Sequence, residues 1–184
     1  MNKFIIAALA LFMATPVLAQ NYVGAGAGMT FNKTSDIGSG TLDTDDGFVG
    51  SVVAGRKFGN WRTETEVSYS QADNNKYMGR DVNGDVSLTA ITVNEIYTYP
   101  VTESLGLFAG VGLGMGKLDV SNGWLNDDSS VAIGKAKSGV SYQFTDNVFM
   151  DVGYQYMTAV GGSVGGDNMN FDSSSVNTAV YFQF

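Results

Sequence analysis

From about residue 21 to its last residue the chain returns again and again to segments in which large apolar side chains alternate with small or polar ones. No stretch carries an apolar stripe at the 3.6-residue spacing of a helix. Trp61, Thr63, Thr65, Val67 and Tyr69 fall on one side of a strand, and Arg62, Glu64, Glu66, Ser68 and Ser70 on the other. Leu105, Leu107, Ala109, Val111, Leu113 and Met115 likewise oppose Gly106, Phe108, Gly110, Gly112, Gly114 and Gly116. Val148, Met150, Val152, Tyr154 and Tyr156 oppose Asp151, Gly153 and Gln155. The pattern predicts an all-β fold of eight strands, roughly at 21–31, 47–58, 61–70, 86–99, 105–118, 131–144, 148–158 and 174–184. Three connections are short, Gly59-Asn60, Pro100 to Ser104 and Thr145 to Asn147, while 32–46, 71–85, 119–130 and 159–173 are long, polar and rich in Asp. Short turns at one end and long loops at the other are the plan of an up-and-down transmembrane barrel. Eight spans of about 11 residues leave room for four long loops, and ten would not.

The first residues say where such a chain goes. Lys3, the apolar run Phe4 to Met13 and the small-residue segment Ala14 to Ala19 have the three zones of a cleavable secretory signal. The expected domains are therefore a signal peptide, 1–19, and a barrel, 20–184. The apolar run is shorter than the roughly 20 residues of a membrane-spanning helix, and no later stretch is apolar enough for one. An exported chain of this kind is either soluble or a closed barrel, because only helices and closed barrels satisfy their backbone groups in lipid.

Alternation alone does not say which face is inside. Two features argue for apolar side chains outside. Phe58, Trp61, Tyr99 and Phe144 bracket the short turns, where an aromatic girdle would meet the periplasmic interface. The last strand also ends on an outward aromatic, with Val176, Thr178, Val180, Phe182 and Phe184 alternating with Asn177, Ala179, Tyr181 and Gln183.

These residues resemble a family, the small outer-membrane β-barrel proteins that include the opacity-type porins and the transmembrane domain of outer-membrane protein A. Trp61-Arg62-Thr63-Glu64-Thr65-Glu66 with Tyr69 is similar to the family's third strand, and Pro100 with Gly110-Val111-Gly112-Leu113-Gly114 to its fifth. Gly139-Val140-Ser141-Tyr142, Thr145-Asp146-Asn147 and Asp151-Val152-Gly153-Tyr154-Gln155-Tyr156 resemble its sixth and seventh strands and their turn. Tyr181-Phe182-Gln183-Phe184 resembles the family's terminal signal, which implies that Val180, Phe182 and Phe184 are read by the barrel-assembly machinery. The resemblance spans the barrel but not the loops, so it implies no ligand for them.

Little in the chain supports catalysis. There is no histidine and no cysteine, which removes the commonest general base, thiol nucleophiles, thiolate metal sites and disulfides. Ten Lys and Arg against eighteen Asp and Glu give a net charge of −8, which argues against nucleic acid as a partner. Gly24, Gly26 and Gly28, like Gly110 to Gly116, recur at every second residue, which is one face of a strand and not a phosphate loop. Arg62, Glu64, Glu66, Lys135, Lys137 and Asp151 all fall on the inward face, three cations against three anions, and are expected to form a neutral network in the lumen. With cations close by, Glu64 and Glu66 lack the isolation of a glycosidase pair. Glu95 alternates with outward residues, so either a bulge reverses the face or it sits near the interface.

Twelve of the fourteen Asp lie in the long connections, among them Asp43, Asp45 and Asp46, and are expected to be solvated; divalent-cation binding is the alternative. The stretch Asp81 to Asp85 lacks the Gly position and terminal Glu of a calcium loop. Lys33, Lys76, Arg80 and Lys117 are scattered cations that could touch lipopolysaccharide phosphates. The expected protein is a non-enzymatic outer-membrane barrel with no cofactor and no metal, and a lumen plugged by charged side chains. Its expected partners are outer-membrane lipid and lipopolysaccharide, the assembly machinery and an extracellular ligand at the loops. A small-solute channel and a soluble periplasmic barrel binding an apolar ligand are the alternatives.

Overall fold

Nine strands order the described chain: β1 (Gln20–Ile37), β2 (Gly40–Thr44), β3 (Gly47–Phe58), β4 (Trp61–Tyr77), β5 (Arg80–Pro100), β6 (Leu105–Asn122), β7 (Leu125–Thr145), β8 (Val148–Val164) and β9 (Asp167–Gln183). They come from a computed structural model that describes the backbone of residues 20–184 except 38–39, 45–46, 78–79, 123–124 and 165–166, and the side chains of 20–31, 47–71, 87–119, 129–161 and 172–184. The expected signal peptide, residues 1–19, lies outside them.

Strand β1 pairs antiparallel with β3 on one side and with β9 on the other, so the sheet closes into a ring ordered β1-β3-β4-β5-β6-β7-β8-β9. These are the eight staves that the alternation predicts. Closure leaves no unpaired edge, the condition that lipid imposes on a sheet. The short β2 is additional and folds back on the outer part of β1, with Lys33 opposite Thr44 and Ile37 opposite Gly40.

The three short connections lie at one end, here the turn end. Gly59, at φ 59°, turns β3 into β4 with Phe58 opposite Trp61; the left-handed backbone of this two-residue turn is the reason for a glycine. Thr145 Oγ1 accepts from the backbone N–H groups of Asn147 (3.3 Å) and Val148 (3.1 Å), closing the turn into β8.

At the opposite, hairpin end the expected long loops are corrected. The segments 71–85 and 119–130 continue as ladders, with Asp73 opposite Asp85 and Asp119 opposite Asp128. Alternation stops there because both faces of a polar hairpin can meet water, and the backbone pairing does not need it. Bulges mark the change: register shifts between Phe31 and Thr34 in β1 and between Ala159 and Gly162 in β8, beside Gly161 at φ 85°.

The outer wall between the two ends is apolar. Val111, Leu113 and Met115 are 66%, 76% and 64% exposed, whereas Arg62, Glu64 and Glu66 are buried. The soluble-barrel alternative, with large apolar residues inside, is overturned by this placement. Aromatic rings flank the apolar band at both ends. Trp61 packs on Tyr97 (5.0 Å between centroids) and Tyr142 on Phe144 (4.9 Å) at the turn end, and Phe48 faces Tyr69 (6.4 Å) towards the hairpin end. Trp61 and Tyr69 are eight residues apart, which at about 3.4 Å per residue and a tilt near 40° is roughly 21 Å of height, close to the apolar band of outer-membrane barrels.

Candidate functional site

Among the described residues the inward face of β4 carries the densest charge, because alternation brings Arg62, Glu64 and Glu66 to the same side. Their counter-charges come from staves across the ring, Asp151 on β8 and Lys135 and Lys137 on β7. Arg62 Nη2 donates to Asp151 Oδ2 at 2.7 Å, and its Nη1 lies 3.8 Å from Glu64 Oε1. Tyr22 on β1 donates its hydroxyl to the same Glu64 oxygen at 2.8 Å. Lys137 joins the two halves, 3.9 Å from Glu64 Oε2 and hydrogen-bonded to Glu66 Oε2. Lys135 donates to Glu66 Oε1 at 3.0 Å and lies 3.3 Å from Ser68 Oγ; Asn94 Nδ2 donates to Glu66 Oε2 at 3.1 Å. All six residues expected in the lumen are thus linked through ion pairs.

Apolar layers lie on either side of these charges. Towards the turn end the Arg62 guanidinium stands 5.8, 5.2 and 5.7 Å from the ring centroids of Phe108, Phe149 and Tyr181. Phe149 and Tyr181 are stacked at 4.5 Å with Tyr22 edge-on to both, and Val53 completes the cluster. Towards the hairpin end Leu88, Leu118, Val131, Ile133 and Met157 form a second buried cluster with Ala90 and Ala159. Between them a cavity of about 50 Å³ is bordered by Glu66, Lys137, Asp151 and Asn177. Asp151 Oδ1 and Asn177 Oδ1 have no protein hydrogen-bond partner, and a cavity of that size holds about three or four waters.

Glycine makes room for these layers. The glycine-bearing staves β1 and β6 stand opposite one another, four places apart in the ring. A Cβ at Gly24 would meet the Tyr181 ring, one at Gly55 the Tyr22 ring, and one at Gly112 the Asn94 amide. Bulky neighbours can therefore lie flat over a bare backbone in a barrel too narrow to hold them otherwise.

The other expected residues are placed as follows. Phe58, Trp61, Tyr99 and Phe144 are exposed at the turn end, and Val180, Phe182 and Phe184 point outward along β9, at 49%, 53% and 65% exposure. Glu95 faces outward and accepts from Thr63 Oγ1 at 2.7 Å. The ladders β4–β5 and β5–β6 run without a register shift around it, so no bulge reverses its face. Lys117 pairs with Asp119 at 3.0 Å on the surface. Lys33, Lys76, Arg80 and the acidic side chains of 32–46, 72–86, 120–128 and 162–171 lie outside the described residues.

Sequence reasoning missed Lys57, the inward cation bordering a small cleft at the turn-end mouth with Glu103. It also missed the apolar cluster around Leu88 and Ile133, and Tyr22. Alternation in β4 could have found Lys57 by transfer, since Lys57 lies opposite the inward Arg62.

The family model described as outer membrane protein beta-barrel domain matches residues 4–182. No curated protein sequence matches the chain. Among solved structures the fold is similar to Neisserial surface protein A, with 24% identity, a TM-score of 0.68 and coverage of 90% of this chain and 99% of that one. It is similar to OprG of Pseudomonas aeruginosa at 12% identity and TM-score 0.55, covering 90% and 96%. It is also similar to Ail, the attachment invasion locus protein of Yersinia pestis, solved with a heparin analogue, at 14% identity and TM-score 0.52, covering 90% and 99%.

Proposed function

The chain belongs to the outer membrane protein β-barrel family and is a bacterial outer-membrane protein, and from that premise we propose that it is a non-conducting barrel that spans the membrane and displays acidic hairpins outside. Short turns face the periplasm in such barrels and longer connections face out. In this reading residues 1–19 are removed on export, Val180, Phe182 and Phe184 present the barrel to the assembly machinery, and the two aromatic girdles fix its depth among lipids and lipopolysaccharide.

The observation that carries the reading is the layered lumen: the Arg62 aromatic layer, the Glu64–Lys137–Glu66–Lys135 layer and the apolar layer of Leu88, Leu118 and Ile133 follow one another along the axis. An eight-strand interior is about wide enough for its own side chains alone, and an apolar layer over a charged one offers hydrated ions no continuous wet path. No residue of the lumen is assigned a catalytic role. In planar bilayers the purified protein is expected to show no large, stable conductance. Steady channels of porin size would replace this reading by the small-solute pore.

The outer hairpins are the surface available to a partner. Ail, by its description, binds a heparin analogue. This chain carries eighteen acidic residues against ten basic ones, most of its Asp falling in the hairpins, so a polysulfate is the wrong charge for it and the expected extracellular ligand is cationic or neutral. Vesicles carrying the protein should fail to retain a heparin-like polymer at physiological salt; retention would overturn that assignment.

A further inference from the structure

The turn from β5 into β6 borders a cleft of about 110 Å³ at the turn-end mouth of the barrel, together with the half-buried side chains of Lys57, Thr98, Ser141 and Gln143. One wall is bare backbone. A Cβ at Gly106 would fall 2.6 Å from Thr98 Cγ2, so β6 stays uncovered beside the cleft. The turn itself is firmly held. The N–H groups of Val101 and Thr102 donate to the Leu105 carbonyl at 2.8 and 2.9 Å, and Thr102 Oγ1 accepts from the Leu105 N–H at 3.0 Å. The Gln143 N–H donates to the Ser104 carbonyl at 2.8 Å and ties the turn to β7. Glu103, on the edge of the cleft, is thus carried by a fixed backbone.

Two opposite charges border this one cleft without meeting. Among the described residues neither Lys57 nor Glu103 is ion-paired, with the other or with any third group, and neither side chain makes a hydrogen bond. The carboxylate whose field reaches Lys57 is Asp151, which is already bound to Arg62 at 2.7 Å, and Arg62 itself repels Lys57. Three cations balance three anions deeper in the lumen, so Lys57 stands at the mouth as a fourth cation. A plain anion beside Lys57 would face Glu103, and a plain cation beside Glu103 would face Lys57. A small group that carries both signs meets neither conflict. At about 10–15 Å³ for each water the cleft has space for roughly eight waters, or for a group of about five or six heavy atoms.

We infer that this cleft binds the zwitterion of an α-amino acid, its carboxylate at Lys57 and its ammonium at Glu103. Both contacts are charge-assisted hydrogen bonds, the stronger kind. Thr98 and Ser141 add hydroxyl donors for the carboxylate, and the bare backbone at Gly106 lets the ligand lie against the wall. Because the turn is already fixed, little ordering accompanies binding. The mouth opens to the periplasm in a barrel of this orientation, and the same chemistry has two sources there: a free amino acid, and a cell-wall peptide that leaves an amino-acid centre exposed. The site rests on the charges and shape of the mouth, independently of whether the lumen conducts.

The amide NMR signals of Gly106 and Ser141 report on the site in the whole barrel, reconstituted in lipid nanodiscs and titrated with glycine, acetate or methylamine. Glycine should saturate the shifts at a concentration about tenfold lower than either single-charge probe, since it alone makes both charge-assisted contacts. Lys57→Met and Glu103→Gln should each weaken glycine about threefold or more, a modest factor because the cleft is open to water. Both variants should keep the unboiled mobility of the folded barrel on SDS gels. Isolated cell-wall sacculi separate the two sources. Nanodiscs retained on sacculi and released by glycine would assign the site to wall peptides, and glycine saturation without retention would assign it to free amino acids. Acetate binding as tightly as glycine would reduce the cleft to a plain anion site and overturn the proposal. So would a glycine response that survives both substitutions, or no saturable response at all.

Discussion

Arg62 and Lys135 are both buried cations in one narrow lumen, and their surroundings are of opposite kinds. Arg62 has one strong anion, Asp151 at 2.7 Å, a second at 3.8 Å, and three aromatic faces within 6 Å. Lys135 lies in a polar layer where a single carboxylate, Glu66, receives two ammonium groups and an amide. The first arrangement suits a flat, delocalised, weakly hydrated guanidinium that stacks on rings. The second suits compact ammonium groups, whose N–H donors point in several directions and need oxygen acceptors. Burying a charge is thus compensated by ring faces in one layer and by shared hydrogen bonds in the next, and the two should respond differently to substitution.

The largest effect is expected for Arg62→Leu, which strands Asp151 without its cation. Urea unfolding in lipid vesicles should show a loss of about 3–5 kcal/mol. Arg62→Leu with Asp151→Leu should recover most of it, since replacing a buried pair by apolar residues is often neutral; a double variant as unstable as the single one would mean that the rings need the guanidinium itself. Leu118→Ala in the apolar layer is expected to cost about 2–5 kcal/mol in the same assay, set by how far its neighbours collapse into the space. Glu66→Gln leaves the buried Lys135 without its carboxylate, but the amide oxygen still accepts from one amine and Glu64 remains beside Lys137, so the loss is expected at the lower end of the Arg62→Leu range, about 3 kcal/mol. A loss larger than that of Arg62→Leu would reverse the comparison between the layers. The smallest effect belongs to Lys117→Ala, whose exposed pair with Asp119 should contribute within about 1 kcal/mol and fade at high salt.

How much of this was readable in advance depended on contrast between the two faces of a strand. On β4 every inward residue from Arg62 to Ser68 is polar and the outward ones include Trp61, Val67 and Tyr69, so the charged residues could be assigned from alternation. On β3 Val52 and Val53 are neighbours, one outward and one inward, and the pattern around Lys57 carries no sign. The buried cluster of Leu88, Ile133 and Met157 was illegible for a related reason. Its members are apolar on an inward face, whereas the rule that served elsewhere equated inward with polar or small. Polarity on both faces hid the hairpins, where Asp73 and Asp85 pair across a ladder that looked like loop. The outward carboxylate Glu95 was placed by alternation, and its Thr63 partner needed the register between β4 and β5.

The seam of the barrel joins the two ends of the described chain: Val23 lies opposite Phe182, and the Phe184 N–H donates to the Asn21 carbonyl at 2.8 Å. The first stave therefore has an unsatisfied edge until the last has been delivered, and the contact that removes it has nearly the greatest sequence separation the chain allows. Order of arrival becomes part of the structure. A ring of this kind cannot finish residue by residue as it emerges, so the intermediate that must be sheltered is a nearly complete sheet open along one line. Shortening the final strand by a few residues would act on the lifetime of that open form more than on the strength of the closed one.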